Sequence, residues 1–95
     1  MATEFVHDAY ILVLDGRVLE IFHRGNAESN RVHVAFLGVS VKPKGDRYKV
    51  QIGAGYDDQV LSGAWLTMDA AEFERFRSFI ALAMAARDSA PNPVQ

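Results

Sequence analysis

Four basic side chains lie within eight residues near the middle of the chain. They are Lys42, Lys44, Arg47 and Lys49, in the segment VSVKPKGDRYKVQI. The alternation of apolar and polar residues predicts two strands joined by a turn at 43–46. Such a patch could bind a phosphate or an acidic peptide. However, Asp46 lies inside the patch, and no aromatic residue interleaves on the exposed face of these two strands to stack a base. Lysines on an outer strand also have a structural role, because they prevent edge-to-edge aggregation of sheets. A solvated face is therefore the simpler interpretation, and weak anion binding is the alternative.

Three histidines raise the question of a metal site or a general base. We predict that Asp8 and His23 are cross-strand neighbours and that His33 lies on the next strand. Two imidazoles and a carboxylate could bind a metal ion. No His-Glu-x-x-His pattern supports such a site. A surface Asp–His pair and an unrelated strand histidine are the preferred interpretation, and we expect no metal.

The remaining motifs that could carry chemistry are weak. The segment GAGYDDQ lacks the third glycine and the helix of a dinucleotide loop, and also the Lys-Ser/Thr of a phosphate loop. Its two aspartates fall short of a calcium loop, so a turn is the preferred interpretation. No serine lies in a nucleophile elbow. We therefore expect a non-catalytic protein without a cofactor, and keep a small metal-dependent enzyme as a further hypothesis.

Composition limits the function classes further. The chain has 95 residues, a formal net charge of −2 and no cysteine. Disulfides and cysteine-based metal sites or catalysis are thus excluded, and no global positive field attracts nucleic acid or an anionic membrane. The N-terminus shows no secretory signal, and no apolar run has the length of a membrane span. We expect a cytoplasmic domain that neither binds nucleic acid nor inserts stably into a membrane.

The elements that must position these residues begin with a hairpin. In AYILVLDGRVLEIFHR two apolar runs flank Asp15-Gly16, a dipeptide that suits a type I′ turn. With Leu14 and Arg17 beside the turn, Leu12 is expected opposite Leu19. Polar residues 25–30 predict a loop, and the segments RVHVA, FLGVSVK, RYKVQIG and VLSGAWLTM predict further strands, with a bulge expected at Gly63.

The last third of the chain predicts one amphipathic helix, Ala70–Arg87. Asp69 is the expected N-cap, and Glu72 three residues later completes the pattern of a capping box. Apolar residues recur at helical spacing, namely Phe73, Phe76, Ile80, Ala83 and Met84. Residues 1–88 are therefore expected to form one domain, and the Pro-rich residues 89–95 a disordered tail.

Strands followed by one helix predict an α+β fold, in which the helix covers a mainly antiparallel sheet or plugs a barrel. Residues 9–87 resemble the pleckstrin-homology-like fold, and within it the small bacterial PH-like domains, which implies a bent antiparallel sheet or partly open barrel of six to seven short strands capped by the helix. The resemblance rests on LDGRVLEIFHRG, on RVHVAFLGVSVKPKG, on RYKVQIG and on FERFRSFIALA as the capping helix. It departs from the lipid-binding relatives, because the first hairpin's loop is only Asp15-Gly16 and carries no basic cluster.

The resemblance implies a scaffold for peptides, proteins or self-association rather than an enzyme or a phosphoinositide-binding site. A second apolar stripe on the helix, with Phe79 and Leu82, could dock a partner together with Trp65. A wide core-facing arc is the simpler interpretation of that stripe. The sequence thus predicts a protein-interaction or self-assembly module, with an anion- or phospholipid-binding domain at the basic hairpin as the alternative.

Overall fold

The computed structural model describes residues 2–25, 27–56 and 58–88, which form seven strands, a short 3₁₀ turn and one helix. The strands are β1 (Ala2–His7), β2 (Tyr10–Asp15), β3 (Val18–His23), β4 (Glu28–His33), β5 (Leu37–Lys44), β6 (Arg47–Tyr56) and β7 (Gln59–Met68). The 3₁₀ turn is Val34–Phe36 and the helix is α1 (Ala70–Asp88). The α+β class and the C-terminal helix are thus confirmed.

The strands form two antiparallel sheets. The first has the order β1-β2-β3-β4, and the second has the order β5-β6-β7. Within the residues that the structure describes, no strand pairing joins the two sheets, and they do not close into a barrel. The chain passes from one sheet to the other at the 3₁₀ turn Val34–Phe36, between β4 and β5.

The first strand, β1, was not predicted from the sequence. It pairs with β2 along its whole length, from Ala2 opposite Asp15 to His7 opposite Tyr10. Phe5 is its one buried residue, because β1 lies at the edge of the sheet and its other side chains are exposed or half-buried. A strand is recognised from apolar residues at alternate positions, and one buried apolar residue shows no such alternation. The first hairpin is therefore β1–β2, with the turn Asp8-Ala9.

The predicted register of the β2–β3 hairpin was wrong by two residues. Asp15 pairs with Val18, so the turn residues are Gly16 and Arg17. Gly16 has a positive φ of 63° at the first turn position, as in a type II′ turn. This register places Leu14 opposite Leu19 and brings apolar side chains together. The predicted register would have placed Leu14 opposite the charged Arg17.

Two strand boundaries and the position of one irregularity also differ from the predictions. β4 begins at Glu28, inside the predicted loop, and β6 continues to Tyr56 through the segment predicted as a turn. The irregularity in the β6–β7 pairing lies between Ala54 and Gly55, whereas Gly63 pairs regularly with Gly53. Gly53 and Gly63 allow the backbones of β6 and β7 to approach closely, because a Cβ on Gly63 would lie 2.1 Å from the Ile52 carbonyl oxygen.

The helix covers the apolar faces of both sheets. Phe76, Phe79 and Ala83 are buried, and Phe73 and Ile80 pack against the same core. The Phe76 ring lies 5.6 Å from that of Phe5 on β1, measured between centroids. The helix N-terminus is capped as predicted, since the Glu72 amide donates to Asp69 Oδ1 at 2.8 Å. The helix therefore covers the core, and the N-cap holds its first turn in place.

The C-terminal end of the helix is also attached to the rest of the fold. Arg17 Nη1 in the β2–β3 turn donates to the Ala86 carbonyl at 2.8 Å, which ties the last helical turn to the first sheet. Across the described residues, no helix combines the length and the apolar character that a membrane span requires. The tail predicted at 89–95 lies outside the described residues.

Candidate functional site

The outer face of the second sheet gathers the predicted basic residues with the tryptophan. Strand register gives its rungs from one end to the other: Lys44–Arg47, then Lys42–Lys49–Thr67, then Ser40–Gln51–Trp65. The alternate residues Val50, Ile52 and Leu66 point into the core. We call the five residues Lys42, Lys44, Arg47, Lys49 and Trp65 the basic–aromatic face.

Like charges lie directly opposite one another on this face. Lys42 is the cross-strand partner of Lys49, and Lys44 is the partner of Arg47. Like charges in this position destabilise a sheet. Among the described residues, none of the four cations forms an ion pair with a carboxylate. The face is therefore a positive patch whose cations form no ion pairs among the described residues, with Asp46 in the adjoining turn, on a chain whose net charge is −2.

Trp65 adds an aromatic surface to the same patch. Its side chain is 48% exposed, and the Lys49 ammonium lies 4.6 Å from the ring centroid, within the range of a cation–π contact. The sequence prediction considered aromatic residues only on the two basic strands, β5 and β6, whereas Trp65 joins this face from β7. A shallow depression of about 340 Å³ lies beside it, lined by Lys44, Arg47, Lys49 and Thr67.

The two helix residues suggested as docking partners of Trp65 lie elsewhere. Phe79 is 4% exposed and packs 5.8 Å from the Phe5 ring, so it belongs to the core. Leu82 is 49% exposed and lines a groove of about 300 Å³ between β1 and the helix, together with Thr3 and Glu4. The structure therefore joins Trp65 to the basic residues and separates it from Leu82, since Trp65 lies on the outer face of the second sheet and Leu82 lies beside β1 of the first sheet.

The predicted Asp8–His23 pair is not formed. His23 lies opposite Tyr10 and makes an edge-to-face contact with its ring at 4.7 Å, whereas Asp8 lies in the β1–β2 turn. The pair is absent because β2 and β3 pair in a register two residues away from the predicted one. His33 Nδ1 accepts a hydrogen bond from the Ala35 amide at 3.1 Å. Within the described residues, no three His, Cys, Asp or Glu side chains are placed to hold a metal ion.

A second polar site, which the sequence analysis missed, surrounds His7 at the end of β1. Its Nδ1 lies 3.0 Å from Glu72 Oε2 and its Nε2 lies 2.8 Å from the Thr67 carbonyl oxygen. Arg75 Nε donates to Glu72 Oε1 at 2.6 Å, and its Nη2 donates to the Val6 carbonyl at 3.2 Å. An open cleft of about 570 Å³ adjoins this network, and Asp8, Arg47 and Asp69 complete its charged lining.

The charges of this network stabilise one another. Burial opposes the charging of His7, but the Glu72 carboxylate, the Thr67 carbonyl and the nearby Asp8 carboxylate together raise the pKa of His7 above its ordinary value of 6.5. Hydrogen bonds from Arg75 and then from His7 lower the pKa of Glu72 to about 2. Both ring nitrogens of His7 face acceptors, so the imidazolium is the form that satisfies both contacts.

This arrangement is suited to holding β1, β7 and the helix together, and not to transferring a proton to or from a substrate. A general base needs a free nitrogen lone pair within reach of a substrate, and both His7 nitrogens are engaged. The network joins β1, the end of β7 and the first turn of the helix. One sequence signal could have indicated that His7 faces the helix. Phe5 and His7 lie two residues apart, and residues with this spacing share a face of a strand.

Comparisons of the chain with protein-family models, with curated proteins and with solved structures found no match.

Proposed function

We propose that this protein is a non-catalytic interaction module that binds a partner chain, or a second copy of itself, through the basic–aromatic face. One observation carries the proposal: four cations without carboxylate partners among the described residues adjoin a half-exposed tryptophan on one sheet face. Tryptophan and arginine are the residue types that most often dominate binding energy at protein interfaces. The like-charge rungs cost stability in the free protein, and an anionic partner relieves that cost.

The arrangement of elements supports a place among PH-like domains. The described residues form seven antiparallel strands followed by a helix, which agrees with the strand number and the capping helix expected for that fold, although the strands lie in two sheets and not in one bent sheet. The first hairpin of the structure has the two-residue turn Asp8-Ala9, which contains no basic residue. A long basic loop at this place is what lipid-binding relatives use, so the short acidic turn favours the role of an interaction scaffold.

A second candidate function uses the same cations to bind a small anion or a phospholipid headgroup. The depression lined by Lys44, Arg47, Lys49 and Thr67 favours it. The net charge of −2 disfavours it, because the rest of the molecule repels a strongly anionic membrane. We therefore place protein binding first.

The test is site-specific photo-crosslinking in the cells that naturally make the protein. A photoreactive amino acid at Gln51, in the middle of the basic–aromatic face, should yield one discrete adduct with a protein. The matched control carries the same group at Ala81, an exposed position on the helix. Mass spectrometry of the adduct distinguishes a partner chain from a second copy of this protein.

The charge dependence of the adduct completes the test. Replacing Lys49 by Glu in the Gln51-labelled protein should remove the adduct, because the contact depends on the positive charge of this face. An adduct that forms equally from both labelled positions, or from neither, contradicts the proposed function.

A further inference from the structure

We propose that the partner of the basic–aromatic face is an extended segment with acidic residues at two alternate positions and an apolar residue two positions further on. This inference rests on the proposed function and adds the chemistry of the partner. It follows from the order of the rungs, which is two pairs of cations and then the tryptophan.

The spacing of the cations matches an extended chain. Cross-strand neighbours such as Lys42 and Lys49 are on adjacent strands roughly 4.8 Å apart, and residues two apart on one strand are roughly 6.6 Å apart. A second extended chain that runs along β6 presents its alternate side chains with the same period of roughly 6.6 Å. One carboxylate therefore meets the Lys44–Arg47 rung, and the next meets the Lys42–Lys49 rung.

The third position of the segment meets Trp65. The rung after Lys42–Lys49–Thr67 is Ser40–Gln51–Trp65, which carries no charge. In the free protein, the Lys49 ammonium covers the indole at 4.6 Å. A carboxylate on the neighbouring rung attracts this ammonium and exposes the indole to an apolar side chain. Lys49 thus links the acidic and the apolar parts of the recognised pattern.

Charge and aromatic content favour a protein segment over other anions. A polyanion such as single-stranded nucleic acid is bound by several aromatic platforms along a basic groove, whereas this face presents one, Trp65. The chain carries 12 acidic and 10 basic residues, so a surface of dense negative charge is repelled by the molecule as a whole. A segment with two carboxylates meets the local cations without that penalty.

The experiment uses the fluorescence of Trp65, which is the single tryptophan of the chain and lies within the proposed site. Two blocked peptides with the core Glu-Thr-Glu-Thr-Leu or its reverse, Leu-Thr-Glu-Thr-Glu, cover both chain directions. Control peptides with the cores Glu-Glu-Thr-Thr-Leu and Leu-Thr-Thr-Glu-Glu keep composition and charge but place the acids on opposite sides of an extended chain. At least one alternating peptide should change the fluorescence saturably and bind about two- to fivefold more tightly than its control, as expected for the loss of one ion pair.

Charge-reversal variants locate the site. Lys42→Glu should weaken binding of the alternating peptide by about fivefold or more, because it removes an attraction and adds a repulsion. Arg31→Glu on β4 is the matched control, since it makes the same change of net charge at an exposed position on the other sheet, and it should leave the affinity unchanged. Circular dichroism of both variants verifies that they are folded.

Three results would overturn the inference. They are equal affinities for alternating and control peptides, the absence of binding by every peptide, and tighter binding to a single-stranded oligonucleotide or to phosphatidylcholine vesicles containing phosphatidylserine. If the peptides do not bind while the Gln51 crosslink still forms, this inference fails and the proposed function stands. If the crosslink is also absent, both fail.

Discussion

At the scale of single residues, His7 and Lys49 show how the surroundings of a side chain set its role. His7 is held between Glu72 and the Thr67 carbonyl, and its charge fastens β1 to the helix and to β7. Lys49 has no carboxylate partner among the described residues and rests on Trp65 instead. The first charge is used within the fold, and the second remains available to a partner.

The His7 contacts predict a specific dependence of stability on pH. Because the folded-state pKa of His7 is raised, its contribution is complete below the ordinary value of 6.5 and is lost as the pH rises through the raised value. The contribution of Glu72 is complete above its ordinary value of 4.5 and is lost as the pH falls toward about 2. His7→Gln should therefore lose more unfolding free energy at about pH 5.5 than at about pH 9.

Urea unfolding of the two proteins at both pH values measures this difference. His33→Gln serves as the control, because His33 is exposed and its Nδ1 accepts its bond from a backbone amide. An equal loss of unfolding free energy at both pH values would show that His7 stabilises the fold through packing and not through the charge of its imidazole.

At the scale of elements, the β6–β7 pair depends on glycines that let the two backbones approach. Gly53 and Gly63 lie opposite each other, and a Cβ on Gly63 would also lie 2.7 Å from the Gly53 Cα. The basic–aromatic face is built on this same pair, because β6 carries Lys49 and β7 carries Trp65. Close approach at the glycines thus helps to define the rungs on which the proposed recognition depends.

Gly63→Ala should destabilise the protein by about 1–3 kcal/mol, since the new methyl group meets backbone atoms that move only if the strands separate. Ser62→Ala at the neighbouring exposed position should change the unfolding free energy by less than about 0.5 kcal/mol. Equilibrium denaturation of both variants makes the comparison. Similar stabilities of the two would mean that the strands tolerate a wider spacing at this point.

At the scale of the whole molecule, aromatic contacts of the helix join the two sheets into one folding unit. Phe76 packs on Phe5 of the first sheet, and Phe73 stacks on Tyr48 of the second with centroids 4.1 Å apart. Within the described residues, the sheets share no strand pairing. Side chains of both sheets and of the helix form one buried cluster, so we expect them to unfold together.

Phe76→Ala should cost about 3–5 kcal/mol, the usual cost of truncating a buried aromatic side chain. Leu82→Ala is the control, because Leu82 is half-exposed on the same helix, and its cost should be below about 1 kcal/mol. Near- and far-ultraviolet circular dichroism should report one coincident transition for Phe76→Ala. Two separate transitions would show that the sheets unfold independently of the helix.

Local signals in the sequence determined the elements with strong patterns. The Asp69 N-cap, the helix from Ala70, and the alternation in RYKVQIG all appear as predicted. Each of these signals is carried by residues within one or two turns of chain, where capping and side-chain period act locally. The described residues form seven strands, within the predicted number of six to seven, although β1 was not among the segments predicted.

The tertiary structure decided which surfaces form. Trp65 lies beside Lys49 because β7 pairs with β6 in one register, and His7 meets Glu72, 65 residues later, because β1 ends at the start of the helix. The pairing of β2 with β3 was also decided by the packing of Leu14 against Leu19, which overrode the preference of Asp-Gly for a type I′ turn. Contacts of this kind depend on burial summed over both sheets and the helix, so the sequence determined the elements and the packing of the whole molecule determined the sites.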